Sequence, residues 1–188
     1  MKTSWFMKGL ILVLFFTFSG LQAQTSTLEL SSGFSYSLKE KLWKVDENKS
    51  KQSKWETKYQ LKDNKKGTET IVDIRVANYE VKTGKSKLKI TEEVVIAEVK
   101  NGLNRIADIF SNLNFEFIET KGYKDYTIIN FAIVKKGEED NKGYSSVAVK
   151  VVDDKISVSV QVGTLYHSSS AEAEKILLWH LKKIKYSI

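Results

Sequence analysis

The chain has 188 residues, a formal net charge of +7 from 30 Lys and Arg against 23 Asp and Glu, no cysteine and no proline. That length fits one domain with room for a real core. The lack of cysteine excludes disulfides, thiolate metal sites, a lipid-modified cysteine and cysteine nucleophiles, so packing and hydrogen bonds alone hold the fold.

The chain opens like a secretory signal. Lys2 and Lys8 give a positive start, Gly9 to Phe18 forms an apolar centre, and Ser19, Gly20 and Ala23 supply small residues around a cut after Ala23. A membrane-crossing helix needs roughly 20 apolar residues; this run is shorter, and no later segment qualifies. The expectation is an exported protein, periplasmic or secreted and not membrane-spanning, with residues 1–23 as signal peptide and 24–188 as a single domain. Loss of Lys2 and Lys8 brings the net charge to +5, and ten lysines against five acidic residues between Lys39 and Lys66 account for all of that excess. Such a stretch binds anionic polymers or is simply a solvated face. It contains no arginine, the residue that pairs bidentately with phosphate, and the solvated face is the reading kept. The only arginines are Arg75 and Arg105.

Periodicity then assigns the elements. Phe34-Tyr36-Leu38 and Leu42 to Val45 (with Trp43) read as short strands, and Asn48 to Lys54 as a polar, mobile stretch. Trp55, Thr57, Tyr59 and Leu61 alternate with Glu56, Lys58, Gln60 and Lys62, the period of a half-buried strand with rings on one side and ammonium groups on the other. Asp63 to Gly67 is a hairpin loop, and Val72, Ile74 and Val76 mark a return strand running on to Val81. Val95, Val99, Leu103, Ile106 and Phe110 recur at helical spacing after a Thr91 cap, with Glu92 and Glu93 in the first turn. Asn101-Gly102 is also a hairpin signal, but the residues after it do not alternate. Within a helix Gly102 is worse than alanine by about 1 kcal/mol, which points to a close approach to the sheet.

Four more strands follow: Leu113 to Phe117, a turn at Lys121-Gly122, Thr127 to Ile133, a charged loop from Lys135 to Lys142, Val147 to Val151, a turn at Asp153-Asp154, and Ile156 to Val162 alternating with Ser157, Ser159 and Gln161. Loops this short give an antiparallel meander. A closing helix starts at Ser169 or Ser170, where Glu172 completes a capping box, and carries Ala173, Leu177, His180, Leu181 and Ile184 as its inner stripe. The fold class is α+β, an antiparallel β-sheet covered by two main helices.

This order of elements resembles the PsbP-like family, an α/β/α sandwich. The likeness is strongest at the end, in Val162-Gly163-Thr164-Leu165-Tyr166, the serine-rich cap, the helix, and Lys183-Ile184-Lys185-Tyr186-Ser187-Ile188. It spans Leu38 to the last residue. The resemblance implies a non-enzymatic accessory protein of a larger assembly, and it brings no catalytic motif.

The chemistry-bearing residues are few. His180 falls in an apolar helical stripe and reads as a buried, hydrogen-bonded histidine; His167 sits in a polar loop, 13 residues away and at no metal-ligand spacing. The serines beside His167 are helix caps, and no nucleophile elbow is present. Asp153-Asp154 and Glu138-Glu139-Asp140 lie in charged turns, where solvated carboxylates are the norm. The glycines form no phosphate loop. No catalytic residue, metal or cofactor is assigned, and nucleic acid is not an expected partner, because stacking needs rings and charge on one surface. An enzyme here requires a polar cleft with at least two converging ionisable groups. Trp179 is placed away from the helix's inner stripe, toward Lys175 and Lys183, as an exposed interface candidate. Its removal is expected to abolish partner binding with stability nearly unchanged.

The resulting expectation is an exported non-catalytic binding or accessory module acting through protein contacts. Its binding residues are Trp179, Lys175 and Lys183, with Lys58 and Lys62 on the lysine-rich hairpin for an anionic polymer. The alternatives are a carrier of a small apolar ligand in a sheet–helix pocket and an enzyme of unknown class.

Overall fold

The computed structural model describes residues 25–64, 70–84, 89–109, 112–138, 142–164 and 169–186. One large antiparallel sheet organises it. β3 (Trp43–Val45), β5 (Glu56–Asp63), β6 (Thr70–Asn78), β7 (Leu113–Tyr123), β8 (Tyr126–Lys135), β9 (Gly143–Val152) and β10 (Ile156–Thr164) lie in the order β3-β5-β6-β10-β9-β8-β7. The two-residue β4 (Lys51–Gln52) also pairs with β5. A second sheet, β1 (Thr25–Glu29), β2 (Phe34–Lys39) and β11 (Ile184–Tyr186), has the order β1-β2-β11. The helices are α1 (Tyr79–Thr83), α2 (Glu92–Ile109) and α3 (Ser170–Leu181).

Because side chains alternate across a strand, the large sheet offers two faces, and each has its own core. On one, Val72, Ile74 and Val76 of β6 and Val158, Val160 and Val162 of β10 pack with Leu177 and Leu181 of α3 and with Phe34, Tyr36 and Leu38 of the small sheet. On the other, Ala77, Ile129, Phe131, Val147 and Val149 pack with Val95 and Leu103 of α2. This is the α/β/α sandwich expected from the sequence, with the β7–β10 meander, the span of α2 and the start of α3 in place. Ser169 caps α3, its Oγ accepting from the Glu172 amide at 3.2 Å.

Several local expectations are corrected. The return strand stops at Asn78 rather than Val81, because Asn78 Oδ1 accepts from the Val81 amide at 3.1 Å and starts α1, which Gly84 closes at φ 67°. The turn expected at Lys121-Gly122 lies at Lys124-Asp125; a bulge between Phe117 and Glu119 shifts the register, and Gly122 stays paired with Thr127 inside β7. Ile184 is not part of α3's stripe but begins β11, which pairs with β2. The stretch from Asn48 to Lys54 is not loose: Ser50 Oγ accepts from the Gln60 amide and donates to the Asp46 carbonyl, and β4 adds to β5. Trp55 leaves the face of Tyr59 and Leu61 and packs on the α2 side, where Lys51 and Lys82 lie over its ring at 5.4 and 4.9 Å. The segment expected to be a signal peptide, the tip of the Asp63–Gly67 loop, Phe110 and His167 fall outside the described residues.

Candidate functional site

The α2 layer is narrower than the sheet it covers. It packs on β7 and β9, and the same face continues beyond it over β10, β6 and β5 as a polar surface. There the cross-strand neighbours are Lys58, Arg75 and Ser159 in one row and Gln60, Asp73 and Gln161 in the next. Short side chains on the central strand β10, Ser159 above all, leave depth between this floor and the flank of α2. The result is an open groove of about 520 Å³, with Glu98, Val99, Gly102, Leu103, Arg105 and Ile106 of α2 on one side and Lys82 of α1 contributing to its lining.

The floor is held by its own charges. Glu56, only 7% exposed, accepts from Nε of Arg75 and faces Lys51 at 3.4 Å. Asp73 pairs with Lys58 at 2.8 Å and accepts from the side-chain Nε2 of Gln60 at 2.9 Å. Glu98 accepts from the Tyr79 hydroxyl at 2.6 Å; burial and this carboxylate push the Tyr79 phenol up to about 12. Gly102 has no atom within 4 Å of where a Cβ would stand, so the close approach to the sheet expected for it is absent and its bare backbone faces the groove.

The residues expected to bind fall on different surfaces. Lys58 lines this groove, tied to Asp73, and Lys62 is tied to Asp46 at 2.6 Å, a contact that holds the Asp46 carboxyl below its ordinary range. Trp179 lies on the opposite side of the sheet and is half-buried rather than exposed. Its ring sits 6.4 Å from that of Trp43, with the ammonium groups of Lys39 and Lys183 at 5.9 and 5.3 Å from its centre. Lys175 stands exposed beside a smaller hollow of about 380 Å³ that Trp43 and Trp179 also line.

His180 is fully buried, with Nδ1 at 2.7 Å from the Tyr36 hydroxyl, and desolvation lowers its pKa to about 3. Asp154 pairs with Lys89 at 3.7 Å, and Glu138 with Lys135. Among the described residues no three His, Asp or Glu side chains gather as a metal-holding cluster, and no helix is long and apolar enough to cross a membrane.

Sequence reasoning passed over Arg75, Arg105, Glu56, Asp73 and Lys82. The signal was available in part: Asp73 and Arg75 interrupt an apolar strand at the alternate positions, and Ser157, Ser159 and Gln161 do the same in β10. Two adjoining central strands with a polar second face imply a sheet face that is not fully covered. What periodicity does not carry is that both arginines of the chain meet there.

No protein-family model matches the chain, and no curated protein matches it in sequence. Solved structures do match in fold. The Ran-binding protein Mog1p of Saccharomyces cerevisiae aligns with a TM-score of 0.55 at 9% identity over 88% of this chain and 96% of its own. PsbP from the cyanobacterium Synechocystis (CyanoP) aligns with a TM-score of 0.54 at 7% identity over 88% of this chain and 94% of its own. At such identities the likeness is one of fold, and it agrees with the PsbP-like architecture read from the order of elements.

Proposed function

We propose that the chain is an exported, non-catalytic binding module that holds a protein partner in the groove between α2 and the β5-β6-β10 surface. The observation carrying this reading is the mixed lining of the groove: Arg75 and paired charges on the sheet floor, and Arg105 beside Val99, Leu103 and the 40%-exposed Ile106 on α2. Arginine with apolar side chains around it is the composition of protein interfaces. That Mog1p, a Ran-binding protein, has the same fold supports a protein as the partner.

The groove also meets the minimum stated for an enzyme, a polar cleft with converging ionisable groups. Its acids are engaged, however: Glu56 by Arg75, Asp73 by Lys58 and Gln60, and Glu98 by Tyr79. A general base or nucleophile needs a carboxylate free to take a proton or attack, and binding is the better use of such a lining. An apolar carrier is disfavoured by the charged floor.

The test is a photo-crosslinking residue placed at Ile106, with a second at Lys175, in the native host. A single protein trapped at Ile106 is expected. Trapping at Lys175 alone moves the interface to the Trp179 side, and trapping at neither ends the reading. The intact mass of the same material tests export, the expected chain beginning at Gln24.

A further inference from the structure

We infer that the groove's partner is an extended acidic segment of a protein, whose carboxylates are taken by Arg105 and Arg75 and whose backbone passes α2 at Gly102. This rests on the protein-binding reading above and names the chemistry of the partner.

The first argument is a balance of donors and acceptors. Each carboxylate lining the groove already has a donor within the chain, whereas among the described residues only two of the four cations, Lys58 and Arg75, have a carboxylate. Among the described residues Arg105 has no carboxylate partner, and the Lys82 ammonium lies over the rings of Trp55 and Tyr79 instead of against an acid. Arg75 gives Glu56 only its Nε, and its two terminal nitrogens make no hydrogen bond among the described residues. A guanidinium presents its donors as a planar fork that fits a carboxylate. The groove therefore lacks acceptors, and a ligand bringing carboxylates completes it. Three acids already line the site, and like charges at close range repel, so a singly charged carboxylate fits better than a phosphate dianion.

The second argument is Gly102. Glycine inside a helix is unfavourable, and here no described residue uses the missing side chain, since none comes within 4 Å of where a Cβ would stand. An extended segment in contact with α2 uses it. Such a segment alternates its side chains, so acids at every second residue with apolar residues between them match a lining that mixes Arg75 and Arg105 with Val99 and Ile106.

The probe is the peptide acetyl-Leu-Glu-Leu-Glu-Leu-amide, titrated into the protein as purified from its host and followed by NMR. Its glutamine counterpart and hexanoate serve as comparisons. The acidic peptide is expected to shift the amides of Gly102, Ser159 and Gln161 and to bind about tenfold more tightly than the glutamine peptide, with about the same loss in Arg105→Gln. Gly102→Ala is expected to raise the unfolding temperature while weakening the peptide, a pairing that a purely structural glycine does not give. Equal binding of the acidic and glutamine peptides, or full affinity in Gly102→Ala, overturns the inference. Hexanoate binding as tightly as the peptide also overturns it, in favour of a small carboxylate. If Ile106 traps a protein in the host but the acidic peptide leaves the groove's signals unmoved, the protein-binding reading stands and only the acidic chemistry fails.

Discussion

The hydroxyl of Tyr36 lies 2.7 Å from Nδ1 of His180, joining residues 144 apart in sequence at a point where both are fully buried. The contact ties the small sheet to α3. The imidazole is further enclosed by Trp43 and Trp179, whose rings stand at 75° and 81° to it with centroids 4.6 and 4.8 Å away. Nε2 has no hydrogen-bond partner among the described residues. In the tautomer where the phenol donates to Nδ1, the proton resides on Nε2, which is buried beside the two indole rings.

A pH dependence of stability follows from this enclosure. The unfolded chain protonates His180 near the ordinary 6.5, whereas burial lowers the folded value to about 3. Between those values the unfolded state binds the extra proton. Stability is therefore greatest above 6.5 and falls as the pH drops, by up to about 1.4 kcal/mol per pH unit. Urea unfolding between pH 7 and pH 5, above the main carboxylate range, is expected to show this loss. His180→Phe should flatten it. An unchanged slope in that variant would place the acid sensitivity elsewhere.

Trp179 offers a prediction opposite to the one its sequence position supports. As an exposed interface residue its removal leaves stability unchanged; as a ring packed on Trp43 and His180 it does not. Trp179→Ala is expected to destabilise by about 2 kcal/mol, less than the full loss at a core tryptophan because the ring is half-buried. Thermal unfolding decides, and an unchanged midpoint returns Trp179 to the surface.

How much was legible in the chain depends on the range of the interaction. The meander from Leu113 to Val162 and the closing helix could be read because alternation and helical spacing are local and strong there. The turn at Lys124 was misplaced because a bulge at Ile118 shifts the register, and a bulge has no marker in residue type. β1, β4 and β11 went unseen as strands, since each is a short polar or mixed segment that exists only by pairing with β2 or β5. Trp179, read as exposed and away from the inner stripe, packs half-buried against the core. What it meets there, Trp43 from 136 residues earlier, depends on the fold.

Asn130 provides a third test. Fully buried on β8, it receives a hydrogen bond from Ser146 of β9 at 2.7 Å and donates to Glu119 of β7 at 3.0 Å and to Glu174 of α3 at 3.2 Å. Lys121 bridges the same two carboxylates. Four elements thus meet at one amide. Asn130→Ala leaves the Ser146 hydroxyl without its acceptor, and a loss of about 2 kcal/mol is expected in the urea midpoint. Asn130→Asp is expected to be worse at neutral pH, since it sets a third carboxylate beside two, and to recover partly toward pH 4. A neutral outcome for both would mean that the network adds nothing to stability.

The two arginines of the groove should separate by their partners. Arg75 supports Glu56, whose remaining cation is Lys51, a side chain 60% exposed. Arg75→Met strands a largely buried carboxylate and is expected to lower stability by about 2 kcal/mol. Adding Glu56→Leu removes the stranded charge and should restore most of that loss, so the two changes are not additive. Arg105 has no carboxylate partner among the described residues, and Arg105→Gln is expected to leave the unfolding midpoint within about 0.5 kcal/mol of the parent. Urea unfolding of the three variants settles the division. An Arg105→Gln protein as unstable as Arg75→Met would give Arg105 a structural duty and remove it from the set of groups free to meet a ligand.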